Sequence, residues 1–571
     1  MNNKEIAKVL EETSILLELR GENRFKSNAY RNAGRVIEGL EEDLGSLAEQ
    51  GKLREIRGVG EALAEQLTTL VRTGALPYLE ELRASIPDGL LEFLRIPGLG
   101  PRKAKALHEG LGVSSVAELE YACHEDRVAS LKGFGPRSQE KILRGIRNLK
   151  RYAGRHLLSE ALGVADELLA GLRSHPKVAR ASIAGSIRRS RETVKDIDIL
   201  VSVARQDRDE VIDAFLALAQ PEEIVARGET KTSVRLERGL PTDLRLVEEG
   251  EFASALAYFT GSKEHNTALR GIAKKKGLLL NEYGLFRGDE ALPIQGEDDI
   301  YRALDLRPIP PELREDSGEI EAAGSGGLPD LIERDDLRGV LHVHTTWSDG
   351  RATLEEMVRE AERAGFEYVG ISDHSQAAFY ARGLDPERLR QQKEEIDDIA
   401  TKVPGITILQ GSEVDILPDG RLDFPDEVLA TLDYVVASIH SNLEMPEDQM
   451  TERVLRALQN PHLTVLGHPS ARLLLAREPI RMVLPRVFRE AAERGVAIEI
   501  NANPRRLDLD WRLLRAAKKA GARFSINPDA HSTEAIGDVR YGVGIARKGW
   551  IAKEDVINTK PLKEFLALAK R

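Results

Sequence analysis

The feature that most constrains the fold is a regular alternation of short apolar runs and amphipathic helical segments after about residue 335. The first repeat runs from GVLHVHT (339–345) through LEEMVREAERAG (354–365) to FEYVGISDH (366–374). Short apolar strands that alternate with longer helices favour parallel β/α units, in which the helices cover the strands. We therefore predict a β/α barrel-like domain over 335–571, with the carboxyl ends of its strands converging on one face.

Metal-ligand side chains stand where these apolar runs end. Of the 12 histidines in the chain, six lie at such ends, in contexts such as VLHVHT, GISDHS and NPDAHS. A single histidine is more often structural, but a set that ends several converging strands favours a metal centre. Mixed nitrogen and oxygen ligands suit Mn²⁺, Zn²⁺ or Fe²⁺. The candidate ligands are His342, His344, Asp349, His374, Glu413, His440, His468, Asp529 and His531.

Three further residues near these candidates have two interpretations each. Asp373 precedes His374 and either orients its imidazole or merely ends the strand. Arg505 and Arg506, in the stretch NANPRR, could bind a phosphate, but a solvated surface pair is the more common arrangement.

The first 150 residues are predicted to be helical, because apolar residues recur there at helical spacing. We divide this region into helical domains at 1–82 and 83–150. A Gly-x-Gly pattern opens a helical stretch at three places, and a glycine turn ahead of a helix exposes backbone N–H groups that bind phosphate without reading bases. At least two of these turns are predicted to contact the DNA backbone. The candidate glycines are Gly58, Gly60, Gly98, Gly100, Gly133 and Gly135.

The charge of the chain is unevenly distributed. The net charge of −12 argues by itself against a nucleic-acid binder. Residues 91–195, however, hold 20 Lys/Arg against 11 Asp/Glu, a local charge of +9 that leaves −21 elsewhere. Local charge decides where a polyanion docks, although a solvated helix face can have the same composition. The basic residues of the segment 132–155 are Lys132, Arg137, Lys141, Arg144, Arg147, Lys150, Arg151 and Arg155.

A set of carboxylates lies in the segment 151–248, where β-branched runs predict strands. Asp196 and Asp198 share one face of a predicted strand, and Asp243 lies in another strand candidate. Carboxylates without histidine favour Mg²⁺, and two such ions could hold the attacking and leaving oxygens of an in-line displacement. A small-residue turn followed by bases is suited to a triphosphate. This turn consists of Gly185, Ser186, Arg188 and Arg189.

The stretches AGSIRRSRETVKDIDILV (184–201) and AYFTGSKEHNTALR (257–270) resemble DNA polymerase beta and other family X polymerases. The resemblance extends from about residue 5 to 307 and implies a nucleotidyltransferase palm at 151–248 and a thumb at 249–308. It implies catalytic Mg²⁺ ligands at Asp196, Asp198 and Asp243. It further implies contacts to the nucleotide or the template from Gly185, Ser186, Arg189, Tyr258, Phe259, Gly261, Lys263, Asn266 and Arg270.

The sequence departs from polymerase beta at three positions. Gln66 replaces the lysine that forms a Schiff base with abasic deoxyribose phosphate, so we predict weak or absent lyase activity. A robust adduct trapped with borohydride would contradict this. Lys26 matches a phosphate-binding lysine of the family, whereas Ala62 replaces another. Lys263 replaces an aspartate beside the nucleotide, and we predict tighter nucleotide binding than with the aspartate.

The C-terminal candidates resemble, at all nine positions, the PHP (polymerase and histidinol phosphatase) domain, a distorted β/α barrel with a trinuclear metal centre. The resemblance covers about 335–571 and implies hydrolysis of a phosphodiester or phosphomonoester at a DNA 3′ end. Nine ligands suffice for three ions if Glu413 bridges two of them. The implied sets are His342, His344, Glu413 and Asp529; Glu413, His440 and His468; and Asp349, His374 and His531.

The remaining composition sets the context of these domains in a multidomain α/β protein. Residues 309–334 are rich in Pro, Gly, Ser and acidic residues and are predicted to form a linker. The single cysteine, Cys123, excludes a disulfide framework. No signal peptide or membrane-spanning run is predicted. We expect a cytoplasmic monomer that binds gapped or primer–template DNA and deoxynucleoside triphosphates.

Three functions are compatible with these patterns. The first is a repair polymerase that fills short gaps and whose second site acts as a 3′–5′ exonuclease, 3′-phosphatase or abasic-site endonuclease. The second is a polymerase whose C-terminal domain is a small-molecule phosphatase, like histidinol phosphatase. The third is a DNA-binding scaffold with a structural metal domain, against which the full ligand set argues, since a structural zinc needs only about four ligands.

Overall fold

A computed structural model describes residues 1–40, 42–96, 98–152 and 154–570 of the chain. The chain forms two compact units, Met1–Ala153 and Gly154–Arg571. The side chains of Lys150 and Arg151, two members of the predicted basic segment, lie outside the described residues. None of the helices in the described ranges combines the length and the apolar character that a bilayer crossing requires.

The first unit is helical, as the apolar spacing predicts. Its core contains Ile6, Leu10, Leu67 and Leu107, each fully buried. Leu53–Glu55 forms a short 3-10 helix. The α-helices are α1 (Asn3–Arg20), α2 (Arg24–Glu38), α3 (Leu44–Glu49), α4 (Glu61–Thr73), α5 (Pro77–Ala84), α6 (Asp88–Phe93), α7 (Pro101–Leu111), α8 (Val116–His124), α9 (Arg127–Ser130) and α10 (Pro136–Tyr152).

The second unit begins with a mixed five-stranded sheet in the order β2-β4-β7-β6-β5. Only β4 and β7 run parallel, and α11 and α13 pack their apolar faces on this sheet. A two-stranded sheet, β1 with β3, lies beside it. The elements are β1 (His156–Leu157), α11 (Leu158–Ser174), β2 (Arg180–Ile183), α12 (Gly185–Arg188), β3 (Thr193–Val194), β4 (Ile197–Ser202), α13 (Arg208–Ala219), β5 (Glu223–Arg227), β6 (Lys231–Arg235) and β7 (Pro241–Val247).

A smaller α/β region follows, with a three-stranded sheet in the order β10-β9-β8. Its core includes Leu269, Leu285, Ile300 and Tyr301. Its elements are α14 (Phe252–Thr260), α15 (Lys263–Lys275), β8 (Leu279–Leu280), β9 (Leu285–Arg287), β10 (Glu290–Ala291) and α16 (Glu297–Ala303).

The segment 309–334, predicted from composition to be a linker, is folded. It contains a 3-10 helix at Pro311–Leu313 and helix α17 (Glu319–Ser325). Leu313 is 1% exposed in the same core as the region before it. Glu319 is fully buried and pairs with His265 at 2.7 Å. The linker prediction is wrong because composition does not show that a few apolar and charged side chains have partners elsewhere in the chain.

The C-terminal part is the predicted β/α barrel. Its strands are parallel and form two sheets, β11-β12-β13 and β14-β15-β16-β17-β18. Bridges from His374 to Glu413 and from Val343 to Ala530 join the sheets at both sides. The strands are β11 (Gly339–Val343), β12 (Tyr368–Ile371), β13 (Thr407–Gln410), β14 (Glu413–Asp415), β15 (Val436–Ser438), β16 (Val465–Leu466), β17 (Ala497–Asn501) and β18 (Phe524–Asn527).

Helices cover the outside of this barrel and bury apolar residues against it, as with Met357 and Val358. They are α18 (Leu354–Arg363), α19 (Pro386–Lys402), α20 (Asp426–Leu429), α21 (Glu447–Leu458), α22 (Leu484–Arg494), α23 (Trp511–Lys519), α24 (Val539–Lys548) and α25 (Leu562–Ala569). The apolar core runs without interruption from the five-stranded sheet into the barrel, and Val201 and Val340 belong to the same cluster. The two parts therefore fold on one another.

Candidate functional sites

The three Gly-x-Gly turns have the same backbone geometry. Gly58, Gly98 and Gly133 adopt the left-handed conformation, with φ of 87°, 81° and 90°. The residue after each glycine donates its N–H to a carbonyl three residues earlier, at 3.0 Å in every case. No side chain caps α4 or α7, whose N-cap residues are Gly60 and Gly100. Each turn thus leaves backbone N–H groups at a helix start, where a phosphate can accept them.

Space around these turns is open. A Cβ placed on any of the six glycines would meet no atom within 4 Å among the described residues. The residue between the two glycines instead points into the core, since Val59 is 6% exposed and Leu99 is 3% exposed. Internal packing therefore does not require glycine at these positions, whereas the positive φ of Gly58, Gly98 and Gly133 favours it.

Three positions of the first unit bear on the predicted phosphate binding and lyase activity. Lys26 lies at the surface, and its Nζ is 2.7 Å from the hydroxyl of Tyr78 and stacks on that ring. Gln66 is partly buried and accepts a hydrogen bond from Tyr30. Ala62 is exposed. The predicted absence of lyase activity stays a prediction.

The candidate ligands Asp196, Asp198 and Asp243 lie near one another at β4 and β7, which are adjacent strands of the sheet β2-β4-β7-β6-β5. Asp198 in β4 lies opposite Asp243 in β7, and Asp196 directly precedes β4. Asp243 accepts a hydrogen bond from Ser233 at 2.7 Å and pairs with Lys231 at 2.7 Å. In this arrangement the carboxylates do not form a set whose ligand atoms all lie within 4.8 Å of one another. The backbone register places them side by side, while the side chain of Asp243 is turned toward its basic neighbour.

The pKa values of these carboxyl groups indicate that a cation would bind favourably among them. Burial and the neighbouring Asp196 raise the pKa of Asp198 to about 6. Burial and Asp243 raise the pKa of Asp196 as well. Acids that repel one another in a half-buried place gain stability from a divalent cation bound between them.

The small-residue turn lies directly over Asp198. Gly185 has a φ of 62° and begins α12, and a Cβ at this position would collide with the Asp198 carboxylate. Glycine is therefore required here both for conformation and for space. Ser186 follows in the same helical turn, and its carbonyl accepts a hydrogen bond from the N–H of Arg191. Arg189 pairs with Glu315 at 3.0 Å and donates to the carbonyl of Thr260.

The predicted nucleotide-contacting residues of the following region occupy the end of α14 and the start of α15. Tyr258 and Phe259 pack edge to face with ring centres 5.2 Å apart. Asn266 donates to the carbonyl of Tyr258 at 2.7 Å. Gly261 has a φ of 72° between the two helices. Lys263 and Arg270 are exposed on α15.

The barrel brings together all nine predicted ligands at one end. Their ligand atoms form four overlapping groups, in each of which all atoms lie within 4.8 Å of one another. His342, His344, His374 and Glu413 each belong to two groups, so the groups share one centre. The grouping departs from the predicted division, because His344 also lies with the third set, His374 with Glu413 and His440, and His468 with His342 and Glu413. The groups are His344, Asp349, His374 and His531; His342, Glu413 and His468; His342, His344 and Asp529; and His374, Glu413 and His440.

The backbone at this centre is not regular strand. His342, His468 and Asp529 have positive φ values of 59°, 22° and 52°. The pairing of β11 with β12 shifts between Val340 and Val343, so His342 lies in an irregularity of the strand. Non-glycine residues rarely adopt this conformation, and several together are typical of functional sites. The convergence therefore depends on strained strand ends and not on simple alternation.

Charge and hydrogen bonding inside the centre fit metal coordination. His342 Nε2, both ring nitrogens of His344 and His468 Nδ1 are buried, and among the described residues they have no hydrogen-bond partner. Such orphaned nitrogens are costly unless a ligand uses them. Burial and the neighbouring His531 and His374 lower the pKa of His344 to about 3, which keeps it neutral. Although burial opposes it, adjacent imidazoles hold the pKa of Glu413 well below its usual range.

Comparison with known proteins adds to this geometry. The chain is 38% identical over 575 residues to the DNA polymerase/3′-5′ exonuclease PolX of Bacillus subtilis (strain 168), with 100% of both chains covered. This chain belongs to the family X DNA polymerases that carry a C-terminal PHP domain. Domain profiles agree: helix-hairpin-helix domain at 1–76, SAM-like helix-hairpin-helix tandem at 90–148, DNA polymerase beta thumb at 255–315 and PHP domain at 341–503.

Shorter relatives of this family X polymerase are named probable phosphatases. One from Thermoanaerobacter sp. (strain X514) is 29% identical over 251 residues, which is 41% of this chain and 97% of the relative. Another from Clostridium acetobutylicum is 30% identical over 240 residues, which is 40% of this chain and 93% of the relative. The resemblance inferred from the motifs is confirmed, and so is the predicted fold class.

The structure of the polymerase adds carboxylates that the sequence motifs did not indicate. Glu499 in β17 is fully buried and accepts from His342 Nδ1 at 2.6 Å. It also accepts from the His468 backbone and from Asn527. Asp415 accepts from His440 Nδ1 at 3.0 Å. Such partners fix the ring orientation of metal-binding histidines. The sequence signal for Glu499 was an acidic residue inside an otherwise apolar predicted strand, AIEIN (497–501).

Asp373 orients a loop instead of its neighbour His374. Its carboxylate accepts from Thr345 N at 2.8 Å, from Ser348 Oγ at 2.5 Å and from Gln392 Nε2 at 2.7 Å. This fully buried carboxylate therefore holds the turn between His344 and Asp349. Neither sequence interpretation of Asp373 anticipated that role.

The two arginines of NANPRR differ. Arg505 is exposed, as expected for a surface residue. Arg506 is only 19% exposed in its side chain, and its Nε lies 3.3 Å from Asp529 Oδ2. The surface-pair interpretation is wrong for Arg506, because the loop after β17 folds back over the ligand Asp529.

Proposed function

We propose that this family X polymerase fills short gaps in DNA with its palm site and processes DNA 3′ ends with its PHP site. The observation that supports this most directly is the presence of two chemically distinct clusters in one chain. One consists of carboxylates beside a glycine-serine turn, and the other is a nine-residue set rich in imidazole. The first suits nucleotidyl transfer, and the second suits hydrolysis of a phosphoester.

In the palm, Asp196, Asp198 and Asp243 would hold Mg²⁺, which supplies charge for the triphosphate and activates the primer oxygen. The turn at Gly185 and Ser186 would bind the triphosphate through backbone and hydroxyl groups. Lys231, now paired with Asp243, would release that carboxylate when the cation arrives, since the two compete for the same charge.

Other palm and thumb residues would place the nucleotide. Arg189 would add its guanidinium to the triphosphate, and Tyr258 and Phe259 would pack on the sugar and base. Asn266 would contact the minor-groove edge of the nucleotide, and Arg270 the template side. The glycine turns of the first unit would hold the DNA backbone, which directs gapped duplexes to the palm.

In the PHP domain, the nine ligands would hold up to three ions of Mn²⁺ or Zn²⁺, which activate water and neutralise phosphoryl oxygens when bound. Glu499 and Asp415 would fix the tautomers of His342 and His440, so that Nε2 of each faces the ions. Arg506 would offer a cation to the substrate phosphate from the edge of the centre.

A small-molecule phosphatase is the second candidate for the PHP domain, favoured by the relatives named probable phosphatases. Those relatives match only about two fifths of this chain. The relative that matches throughout is named a DNA polymerase and exonuclease. We therefore favour a DNA 3′ end as substrate. Release of phosphate from histidinol phosphate, measured against nucleotide release from DNA, separates the two candidates.

The proposal is tested with two substitutions in the full chain. Asp198→Ala should abolish nucleotide addition to a labelled gapped duplex and spare 3′ shortening, because it removes only a palm ligand. His344→Ala should do the reverse. Product lengths in Mg²⁺ or Mn²⁺, with and without nucleotides, report both reactions at once. Loss of both activities in either variant, with the protein still folded, would refute separate sites.

A further inference from the structure

The barrel contributes a buried lysine to the turn that carries Arg189. Lys548 ends α24 and is 1% exposed. Its Nζ donates to the backbone carbonyl of Arg189 at 2.9 Å, to that of Glu312 at 3.2 Å and to the carboxylate of Glu315 at 2.6 Å. All three donor positions of the ammonium are thus used between the palm and the folded 309–334 segment.

Glu315 joins this lysine to the side chain of Arg189. The carboxylate lies 3.0 Å from Arg189 Nε, 3.3 Å from Arg191 Nη1 and 2.6 Å from Lys548 Nζ. Three cations therefore share one carboxylate. Arg189 Nη1 donates to Thr260, and among the described residues Nη2 has no hydrogen-bond partner. The guanidinium keeps net positive charge and one donor group for a phosphate because Lys548 takes part of the charge of Glu315.

The barrel also contacts the other end of the turn that begins at Arg189. Trp511 Nε1 donates to Glu192 at 3.1 Å, and Arg512 Nη1 donates to its other oxygen at 2.8 Å. A Cβ on Gly544 of α24 would come within 2.9 Å of Ser190 Oγ, so helix and turn are in close contact. The turn from Arg189 to Glu192 therefore has no independent freedom to move away from the barrel.

We propose that Lys548 of the PHP domain is a positioning residue of the polymerase nucleotide site. It sets the main chain of Arg189 and tunes the carboxylate that competes with phosphate for this arginine. The hydrolytic domain would in this way complete the triphosphate pocket. This inference rests on the proposed contact between Arg189 and the triphosphate.

The test uses the full-length protein with Lys548→Met, which keeps the length of the side chain and removes the ammonium. KM for the incoming nucleotide should rise about tenfold with kcat within about twofold, because nucleotide binding and not chemistry loses a contact. Hydrolysis by the PHP site should stay unchanged. Lys553→Met, which removes an exposed partner of Asp336, is the matched control and should leave KM unchanged.

A charge-balanced double variant separates positioning from packing. Glu315→Gln combined with Lys548→Met removes the competing carboxylate together with the lysine, so its KM should lie below that of Lys548→Met alone. Arg189→Met should raise KM by at least as much as Lys548→Met. An unchanged KM in Arg189→Met would refute the proposed role of Arg189 itself. A raised KM in Arg189→Met beside an unchanged KM in Lys548→Met would overturn only the role of Lys548.

A second, independent feature lies at the open side of the metal centre. Phe379 is 83% exposed and Tyr380 is 61% exposed, although both are large apolar side chains. The Tyr380 ring centre is 6.3 Å from that of His374 and 6.5 Å from that of His440. The ring centre of Phe379 is 6.1 Å from that of Tyr380, and the two ring planes make an angle of 77°.

These two rings belong to a 3-10 helix, Phe379–Ala381, which hydrogen bonds and buried neighbours hold in place. The Ala377 N–H donates to Asp423 at 2.7 Å, and Ala378 and Ala381 on either side are buried. Arg382 donates to the carbonyl of Ser348, beside the ligand Asp349. Two aromatic faces are therefore presented to solvent on a fixed loop at the rim of the centre, where folding alone gives no reason for them.

We infer that Phe379 and Tyr380 form a stacking surface for the unpaired terminal bases of a DNA 3′ end. Aromatic rings stack on any base, so such a surface would hold a frayed strand without sequence preference and bring its last phosphodiester to the ligands. This inference rests on the proposed DNA hydrolysis by the PHP site.

The experiment compares two substrates. Phe379→Ala and Tyr380→Ala should each lower kcat/KM on single-stranded DNA about tenfold, in line with the loss of one stacked base. Hydrolysis of bis(p-nitrophenyl) phosphate, a diester without bases, should stay unchanged. Tyr283→Ala, at an exposed aromatic residue of the thumb, is the control. Equal loss on both substrates, or no loss on DNA, would overturn the stacking surface. Wild-type cleavage of the small diester without DNA cleavage would instead refute DNA as the substrate.

Discussion

At the scale of single residues, both candidate centres have unfavourable features whose cost the binding of a cation would offset. The candidate PHP ligands His342, His468 and Asp529 have left-handed backbone conformations, each costing on the order of 1–3 kcal/mol. At the palm site, burial and the neighbouring Asp243 raise the pKa of Asp196, and burial and the neighbouring Asp196 raise the pKa of Asp198. The unfavourable energy of the PHP centre therefore lies in its backbone conformation, and that of the palm site lies in burial of, and repulsion between, its carboxylates.

The raised pKa of Asp198 predicts how Mg²⁺ binding by the palm depends on pH. Above about pH 7 the carboxylate is ionised, and below about pH 6 protons compete with the cation, so affinity should fall up to about tenfold per pH unit. Titrating Mg²⁺ in single-nucleotide addition between about pH 5.5 and 8 measures this. A constant affinity across the range would contradict the prediction.

The same shift predicts a pH-dependent cost in stability. The folded pKa lies above that of an unfolded aspartate, so ionisation costs stability, and the cost grows as pH rises from about 4 to 6. In metal-free buffer, Asp198→Asn should therefore unfold at a higher temperature than the wild type near pH 8. The difference should shrink near pH 4, where both side chains are neutral. A difference that is the same at both pH values would exclude this cause.

Lys263 gives a prediction for nucleotide affinity. It is exposed at the start of α15, next to the turn at Gly261. Lys263→Asp should raise the dissociation constant of the nucleotide, since a carboxylate there repels the triphosphate. Lys274→Asp, further along the same helix, makes the same charge change away from the turn and serves as the control. An unchanged dissociation constant in Lys263→Asp would count against a contact with the nucleotide.

At the scale of elements, the first unit repeats one device. A left-handed glycine, an apolar residue and a second glycine precede each of α4, α7 and α10, and the apolar residue is buried before α4 and α7 and partly buried before α10. Because α4 and α7 lack a side-chain cap, their first N–H groups are available to an external acceptor. The repetition matters more than any single turn, since several weak phosphate contacts along one strand add up.

Substitution of the second glycine tests this device without straining the backbone. Gly100 has a φ of −77°, which alanine also adopts, and the space around its Cβ is open. Gly100→Ala should leave the unfolding temperature unchanged and weaken binding of gapped DNA severalfold, because the methyl group lies where a phosphate approaches. Gly39→Ala, at a helix end outside the turns, is the control. Equal binding by all three proteins would argue against contact at this turn.

At the scale of the whole molecule, the chain forms two units whose boundary does not separate the two activities. The palm, thumb and barrel all lie in Gly154–Arg571, and a single apolar cluster spans palm and barrel. The folded segment 309–334 adds partly buried ion pairs with the barrel, such as Arg547 with Glu312. The hydrolytic domain is therefore part of the body of the polymerase and not an appended module.

Calorimetry should show that the two units unfold separately. We expect two transitions, one for each unit, with palm and barrel unfolding together. Added Zn²⁺ should raise the second transition by several degrees and leave the first unchanged, because ligands that bind only the folded state stabilise it. His344→Ala should reduce the shift. A third transition for the palm would contradict the shared core, and a shift in the first transition would contradict separate unfolding of the first unit.

Local patterns in the sequence were sufficient to predict much of this protein. Glycine spacing predicts the turns because φ near 80° excludes most other residues. Alternation of apolar runs and amphipathic helices predicts the barrel, and His and Asp at run ends predict its ligand set. In each case a short stretch of chain carries the physical requirement by itself.

Tertiary structure decided what depends on residues far apart in the chain. Glu499 acts on His342 only because β17 and β11 meet in one barrel. The 309–334 segment is ordered by His265 and the thumb core, which its polar composition conceals. Lys548 reaches Arg189 because palm and barrel share a core. A buried charge needs a partner from another element, and no local pattern identifies which element that is.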